Sequence, residues 1–396
     1  MAFLRTDATG ESKVNLSFLS AEVITALLAV MLMAWIVPRP YQPFGVAAVT
    51  SLFLGYYAPL SLAILLLSAG ITFGSTRYFK HRTSTTVMSI AVLVTVFLVA
   101  KSFQDFYTVD SGQQVVTLGL FFYVLRQIHY VVEHYKENLP PHTWSEYLCY
   151  LLFFPTILAG PINTFQEFRR DLHRRRFDVE SISISLERIV YGYFKIVVVA
   201  NWLVTSQLSQ YLASFSTDHP ALGAYLDCIR YGLNLYFQFS GYTDIAVGVS
   251  LAAGFRIIEN FDQPYLAVNI NDFWQRWHIS LSRWCRDYVF MSVLSITRRP
   301  LLAIVSSMMA IGLWHELSPR YTVWALYHGC GIAVWHLFRH FSQDRPVWRP
   351  GWLRRLAVAG SMVFTLNFVI LSFAITKSKT LHEALGVYST ILGIEK

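Results

Sequence analysis

The stretch that decides the fold runs from residue 259 to residue 290 and reads ENFDQPYLAVNINDFWQRWHISLSRWCRDYVF. It carries many polar and ionisable side chains in a chain that is 54% hydrophobic and only 14% charged. A second polar cluster, GLWHE at 312–316, follows a mostly apolar run. Because ionisable groups at membrane depth are costly, such clusters indicate a functional site. The two clusters each contain a histidine, and the functional prediction starts from them.

The composition indicates an integral membrane protein. Apolar segments recur along the 396 residues, and 11 Trp and 22 Tyr suit the membrane–water interface. We predict an all-α polytopic membrane protein with about nine to eleven membrane helices, some of them re-entrant, in a single domain over 1–396. The net charge of +8 lies in short loops, which predicts contact with an anionic bilayer rather than with nucleic acid.

The basic loops predict part of the topology. By the positive-inside rule, residues 133–146 and the arginine-rich 163–187 both belong on the cytoplasmic side. The apolar segment 147–160 would then enter and leave on one side, as a re-entrant element ending in Phe-Pro at 154–155 and Gly-Pro at 160–161. Irregular backbone at that depth is tolerated only against protein or a water-filled cavity. The chain is therefore expected to enclose a cavity.

The same reasoning places the two histidine clusters. Segment 261–290 has too many charges for a span and too many aromatic residues for a free loop. We predict amphipathic helices in the cytoplasmic interface, with their tryptophans turned inward. The run 301–314 rises from that side, and at about 1.5 Å per residue it ends roughly 20 Å into a hydrocarbon layer about 30 Å thick. His315 is thus expected inside the membrane slab.

These positions suit acyl-transfer chemistry. A neutral imidazole in a low-dielectric pocket is a competent general base for a hydroxyl, and we predict His315 as that base. Trp314 and Glu316 would flank it, while His278, near Trp274 in the sequence, would be the positioning group. The alternative for His315 is a structural, hydrogen-bonded histidine in a helix bundle. For His278 a solvated interfacial histidine is supported as well as one that contacts a ligand.

Two further residues are secondary candidates. Tyr327 and His328 lie beyond the second cluster, and a helix-packing role is favoured for His328. The four cysteines are isolated and lack CxxC spacing. No serine elbow, glycine-rich phosphate loop or HExxH helix is present, so no metal site is predicted.

Two long blocks closely resemble the paired histidine motifs of the membrane-bound O-acyltransferase family. They read NDFWQRWHISLSRWCRDYVF at 271–290 and GLWHELSPRYTVWALYHG at 312–329. The blocks LLFFPTILAGPI at 151–162 and YGLNLYFQFSGYTDIAVGVSLAAGF at 231–255 resemble others of its bacterial branch. That branch includes alginate O-acetylation and teichoic-acid D-alanylation proteins. The resemblance covers the motif-bearing core, residues 151–336.

The resemblance implies a fold and a division of roles. The fold would be a ring of tilted helices around a central tunnel, where a cytoplasmic thioester meets an acceptor from the other side. His315, in the GxWH block, would be the catalytic base. His278, with Asn271 and Asp272, would position the thioester and polarise its carbonyl. Acetyl-CoA or an acyl-carrier protein would be the cosubstrate, with no bound cofactor.

We therefore expect an O-acyltransferase of the bacterial inner membrane. It would move an acyl group, with acetyl the leading choice, from a cytoplasmic thioester to a hydroxyl of an envelope or exported polysaccharide. A periplasmic or surface acyltransferase partner would complete the transfer if the acceptor is a finished polymer. D-alanyl transfer to a teichoic-acid-like polymer and a non-enzymatic membrane scaffold are the alternatives.

Three departures from the family pattern leave the acyl group and acceptor open. Gln238 stands where acetyltransferase-like members typically carry aspartate. RDYVFMS at 286–292 replaces a sequence that continues glycine-rich in those members. Glu316 stands where bacterial members usually have glycine.

Overall fold

The computed structural model describes residues 19–79, 82–110, 119–157, 160–342 and 351–394, with the backbone alone at 103–110 and 342. Within these ranges the regular structure is helical, and one isolated β-bridge joins Phe261 to Trp277. The all-α prediction is confirmed. The chain divides into two compact units. One is Met1–Gly192 with Tyr242–Ile258, and the other is Tyr193–Gly241 with Glu259–Lys396.

The first unit contains nine α-helices among its described residues. They are α1 Ala21–Ile36, α2 Gln42–Tyr57, α3 Pro59–Tyr78, α4 Thr83–Asp110, α5 Leu120–Tyr135, α6 Trp144–Leu151, α7 Phe154–Ile157, α8 Phe165–Arg174 and the greater part of α9 Val179–Phe194. The sequence predicts a break at Pro59, and α3 begins there. Proline has no N–H to donate and its fixed φ suits the first helical turn, so it starts a helix more readily than it continues one.

The segment 147–160 is a broken helix, formed by α6 and α7. The buried Arg126 of α5 spans the break, because its Nη1 donates to the carbonyl of Tyr150 at 3.1 Å and its Nη2 to that of Thr156 at 3.0 Å. Carbonyls that lose their helical partners at a break need other donors when they are buried. Leu158 and Ala159 lie outside the described residues. The broken helix agrees with the irregular backbone predicted for this segment. That the segment enters and leaves on the same membrane face stays a prediction.

The second unit continues from α9 into one long helix. A π-helical stretch, Lys195–Gln207, joins α9 to α10 Leu208–Asp218 without a break. Further helices, α11 to α18, follow: α11 Pro220–Ala252, which ends in the first unit, then α12 Ile270–Arg276, α13 Ile279–Cys285, α14 Met291–Thr297, α15 Pro300–His315, α16 Pro319–Ser342, α17 Gly351–Lys377 and α18 Leu381–Leu392. Segment 261–290 thus forms short helices, as predicted.

Four helices in the described part of the chain are long and apolar enough to cross a membrane. They are Pro59–Tyr78, Thr83–Ser102, Val179–Asp218 and Gly351–Lys377. The helices α1 and α15 are apolar but shorter. A count of nine to eleven membrane helices stays a prediction. Sequence analysis missed α8 and α18, because polar residues interrupt both and neither forms a long apolar run.

Candidate active site

His278 occupies the sharp turn between α12 and α13. Its side chain is buried, and its backbone is left-handed, with φ 46° and ψ 52°. Asn269 starts α12 by accepting the N–H of Asp272 at 2.8 Å, and Trp277 ends it opposite Phe261. A left-handed residue with a Cβ persists only where its surroundings fix it, and such residues cluster at functional sites.

Asn260 fixes the tautomer of His278. The fully buried Asn260 places Oδ1 3.2 Å from His278 Nδ1, 3.1 Å from the Ser280 backbone nitrogen and 2.9 Å from Ser280 Oγ. Because a backbone N–H can only donate, the Asn260 atom that it meets must be the oxygen. That oxygen can only accept, so Nδ1 of His278 carries the proton. The lone pair of the neutral ring is therefore on Nε2.

The basic nitrogen of His278 is buried and available. Among the described residues, no protein group forms a hydrogen bond to Nε2. His278 lies outside the four candidate spans, and burial lowers its pKa to about 3. The ring therefore stays neutral at physiological pH. A buried polar atom without a partner is unusual, and here it marks a position where a substrate group could donate a hydrogen bond.

Aromatic rings connect His278 with His315. The His278 ring lies 4.7 Å from Phe239 and 5.9 Å from Trp314, centroid to centroid, both nearly perpendicular. Trp314 in turn lies 4.9 Å from the ring of His315. The structure thus brings both predicted histidines against one indole, although His278 precedes α13 and His315 ends α15. Apolar walls of this kind exclude water and strengthen polar interactions inside the site.

His315 is the last residue of α15. Its half-buried ring stacks on Tyr321 at 5.7 Å and meets Trp324 edge-on at 6.0 Å. The following Glu316 forms an ion pair with Arg320 of α16. This ion pair links the residue after His315 to the next helix. The side chain of His315 itself projects from the end of α15 rather than from its interior.

The secondary candidates form a neighbouring cluster. Trp274 donates its indole N–H to Nδ1 of His328 at 3.4 Å, so it contacts His328, which is buried. Trp324 lies 4.8 Å from the same imidazole. Tyr327 donates its hydroxyl to the carbonyl of Phe368 at 2.9 Å, and its ring stacks on Phe368. These contacts agree with the packing role that the sequence favours for His328.

Asp272 organises the start of α12. One carboxylate oxygen accepts the backbone N–H of Val268 at 3.0 Å, and the other accepts from Nε of Arg276 at 2.8 Å. Asn271, the neighbouring residue, is half-buried on the same helix. A role for Asn271 and Asp272 in positioning a donor stays a prediction.

Sequence analysis missed the residues that hold His278. Asn260 and Ser280 carry no signal of their own, because only the turn at His278 brings Asn260 back to α13.

Gln238 of α11, noted as a departure from the family pattern, donates to Oδ1 of Asn201 at 2.5 Å. Its own Oε1 is buried without a hydrogen-bond partner in the described part of the chain. In the same part, no group of three or more His, Cys, Asp or Glu side chains is placed to hold a metal ion.

The helical architecture and the paired histidines define a class of membrane protein. The family model described as MBOAT, membrane-bound O-acyltransferase family, matches residues 75–378. The match covers well over half of the chain, and the chain belongs to the membrane-bound O-acyltransferase family. The resemblance inferred from the motifs is confirmed.

Several curated proteins are similar to this chain. A probable alginate O-acetylase (AlgI) of Pseudomonas aeruginosa is 30% identical over 282 residues, covering 70% of this chain and 52% of that protein. A teichoic acid D-alanyltransferase of Bacillus subtilis is 32% identical over 286 residues, covering 67% and 70%. A peptidoglycan O-acetyltransferase of Helicobacter pylori is 27% identical over 311 residues, covering 71% and 57%. The chain spans about half the length of the alginate O-acetylases that it matches.

Proposed function

We propose that this protein is an O-acyltransferase of a bacterial cytoplasmic membrane. It takes an acyl group, acetyl in the leading version, from a cytoplasmic thioester and transfers it to a hydroxyl of an envelope or exported polysaccharide. The family and the three kinds of relatives support this reaction type. Acetyl-CoA or an acyl-carrier protein is the proposed donor, and a periplasmic or surface acyltransferase is a proposed partner.

The observation that carries the proposal is that the imidazoles of His278 and His315 both contact the indole of Trp314. In the reaction, His315 takes the proton of the acceptor hydroxyl as its oxygen attacks the thioester carbonyl. The carbon–sulfur bond then breaks, and the leaving thiolate receives the proton from the His315 imidazolium. Holding base, hydroxyl and thioester together makes the step effectively unimolecular, and proton transfer by a positioned base contributes about 10²–10⁴-fold.

The tautomer of His278 defines the role proposed for it. With the proton on Nδ1, Nε2 accepts a hydrogen bond, so it can orient a substrate hydroxyl or amide N–H. Polarising the thioester carbonyl would require the opposite tautomer, because a carbonyl oxygen accepts rather than donates. We therefore assign His278 to orientation of a donor group on the substrate, beside the base His315.

D-alanyl transfer is the second candidate. The Bacillus subtilis teichoic acid D-alanyltransferase match covers about two thirds of both chains, whereas the alginate O-acetylase match covers about half of that protein. In this version the donor is a carrier-protein thioester and the acceptor a teichoic-acid-like polymer. The chemistry at His315 is the same, since both reactions transfer an acyl group from sulfur to oxygen.

Mass spectrometry of envelope glycans and polymers tests the proposal. Cells would carry the wild-type protein, His315→Ala, His278→Ala or His340→Ala, at equal expression. His340 is exposed near the end of α16 and serves as the matched histidine control. We expect one acyl modification to disappear with His315→Ala, to fall with His278→Ala and to remain with His340→Ala. Its mass would distinguish acetyl from D-alanyl. An unchanged profile in all four strains would favour the scaffold alternative.

A further inference from the structure

The first unit contains a basic cavity to which the proposed roles of His278 and His315 assign no function, and a cosubstrate as its ligand would rest on the proposed function. Its volume is about 490 Å³, within the range typical of small-molecule sites. It lies beside the end of α8, the start of α9 and the residues that follow α11. Arginines dominate its polar lining, namely Arg170, Arg174, Arg175, Arg176 and Arg256. Two aspartates also line it, so the lining carries a net charge of +3.

The two aspartates are already occupied. Asp171 accepts Nε of Arg170 at 3.2 Å and the backbone N–H of Arg256 at 2.9 Å. Asp178 accepts both the backbone N–H and the hydroxyl of Ser181, at 2.9 and 2.7 Å. These bonds tie one carboxylate to Arg170 and the other to the start of α9, and the lining keeps its net positive charge.

Three of the arginines make no direct contact with a carboxylate in the described part of the chain. Within the described ranges, the side chains of Arg174, Arg176 and Arg256 form no hydrogen bond or ion pair. All three are exposed at the rim of the cavity. Several unpaired cations on one cavity repel each other, and an anion that binds between them relieves this repulsion.

Arg175 provides a fixed cation in the wall. Only 8% exposed, it donates from Nη1 to the carbonyl of Ala253 at 2.9 Å and lies 4.8 Å from the ring of Phe255. Its Nε is buried and has no hydrogen-bond partner among the described residues. Burial lowers the pKa of Arg175 to about 10, which leaves it charged at neutral pH.

We propose that this cavity binds an organic phosphate. The guanidinium fork matches phosphate oxygens, and several forks around one cavity favour a multiply charged or diester phosphate over a single carboxylate. A lone inorganic phosphate would fill little of the volume. The apolar part of the lining, Trp35, Ile182 and Leu251, would take the organic body of the ligand. The phosphate can come from a soluble nucleotide-type cosubstrate or from an anionic lipid headgroup.

Binding measurements on the full-length protein test the proposal and separate the two sources. Coenzyme A is titrated calorimetrically against protein in phosphatidylcholine nanodiscs, and phosphatidylglycerol binding is measured by native mass spectrometry from detergent. The test variant combines R174Q, R176Q and R256Q. The control combines R82Q, R299Q and R354Q, which removes the same charge from exposed positions outside the cavity.

We expect one of the two probes to bind, and the test variant to raise its Kd by about tenfold or more. The control should change the Kd much less. The single variant R256Q should show a smaller shift if the triple variant is poorly folded. Binding of neither probe, or equal losses in the test and control variants, would overturn the proposal. Both measurements report binding without turnover, so failure of the proposed acyl transfer cannot produce either result.

Discussion

Replacing Asn260 with alanine would remove the hydrogen-bond acceptor that fixes the tautomer of His278. In the native protein Asn260 Oδ1 accepts from Nδ1 of His278 and from the backbone and hydroxyl of Ser280. Without it, the ring can place its proton on Nε2 and lose the lone pair that faces the site. We expect turnover to fall by up to about 10²-fold, the loss that a misplacement of the substrate by about 1 Å can cause.

The same change should lower stability by a calculable amount. Each buried donor left without an acceptor costs about 1–3 kcal/mol. The Ser280 hydroxyl can rotate and the imidazole proton can move to Nε2, so one fixed donor remains, the backbone N–H of Ser280. We therefore expect a loss of about 1–3 kcal/mol. Thermal unfolding of the purified protein in detergent would measure the loss of stability. Turnover would be measured separately, at a temperature where the variant stays folded.

Ser280→Ala is the matched control for Asn260→Ala. It removes one hydrogen bond to Asn260 but keeps the bond between Asn260 and His278, so it should cost about 0.5–1.5 kcal/mol and leave turnover nearly unchanged. Acyl transfer would be compared for the two variants at equal amounts of folded protein. Wild-type turnover by folded Asn260→Ala would refute the tautomer argument.

Three other changes have definite expected outcomes. Arg126→Met should lower the unfolding free energy by about 3 kcal/mol or more, since buried carbonyls lose their donors. Gly331→Ala places a Cβ 2.6 Å from the Phe368 ring and should cost about 1–3 kcal/mol, whereas Gly360→Ala, with open space around it, should not destabilise. Thermal unfolding checks both. With its pKa lowered to about 3, His278 stays neutral in the folded protein while the unfolded chain protonates below about pH 6.5. Its contribution to stability is thus complete above about pH 6.5 and declines towards about pH 3, by up to about 1.4 kcal/mol per pH unit. A His278→Gln variant should lose this component, and equal pH dependence of unfolding in the two proteins would contradict it.

Local sequence patterns predicted much of the fold. Long apolar runs located most of the helices, and Pro59 located the break between α2 and α3. The helices α8 and α18 escaped because each is short and interrupted by polar residues. Their N-terminal caps, Thr164 and Thr380, are local signals that could have revealed them.

The candidate site was predicted less completely than the fold. Motif blocks identified His278 and His315 because histidines in apolar surroundings are conspicuous. The partner of His278 was not identifiable, because Asn260 reaches it only through the left-handed turn. Trp274 lies near His278 in the sequence but contacts His328 in the structure. Residues that are close in sequence can point in different directions from a helix, so sequence proximity did not predict this contact.

The most direct test of the account is acyl transfer in inverted membrane vesicles that contain the full-length protein. Labelled acetyl-CoA, or a labelled D-alanyl carrier protein, would be supplied on the cytoplasmic side, and label in the envelope polymers would be followed over time. We expect His315→Ala to reduce the rate by about 10²-fold or more, while His340→Ala matches the wild type. Transfer at the wild-type rate by His315→Ala, at equal levels of folded protein, would contradict the assignment of His315 as the base.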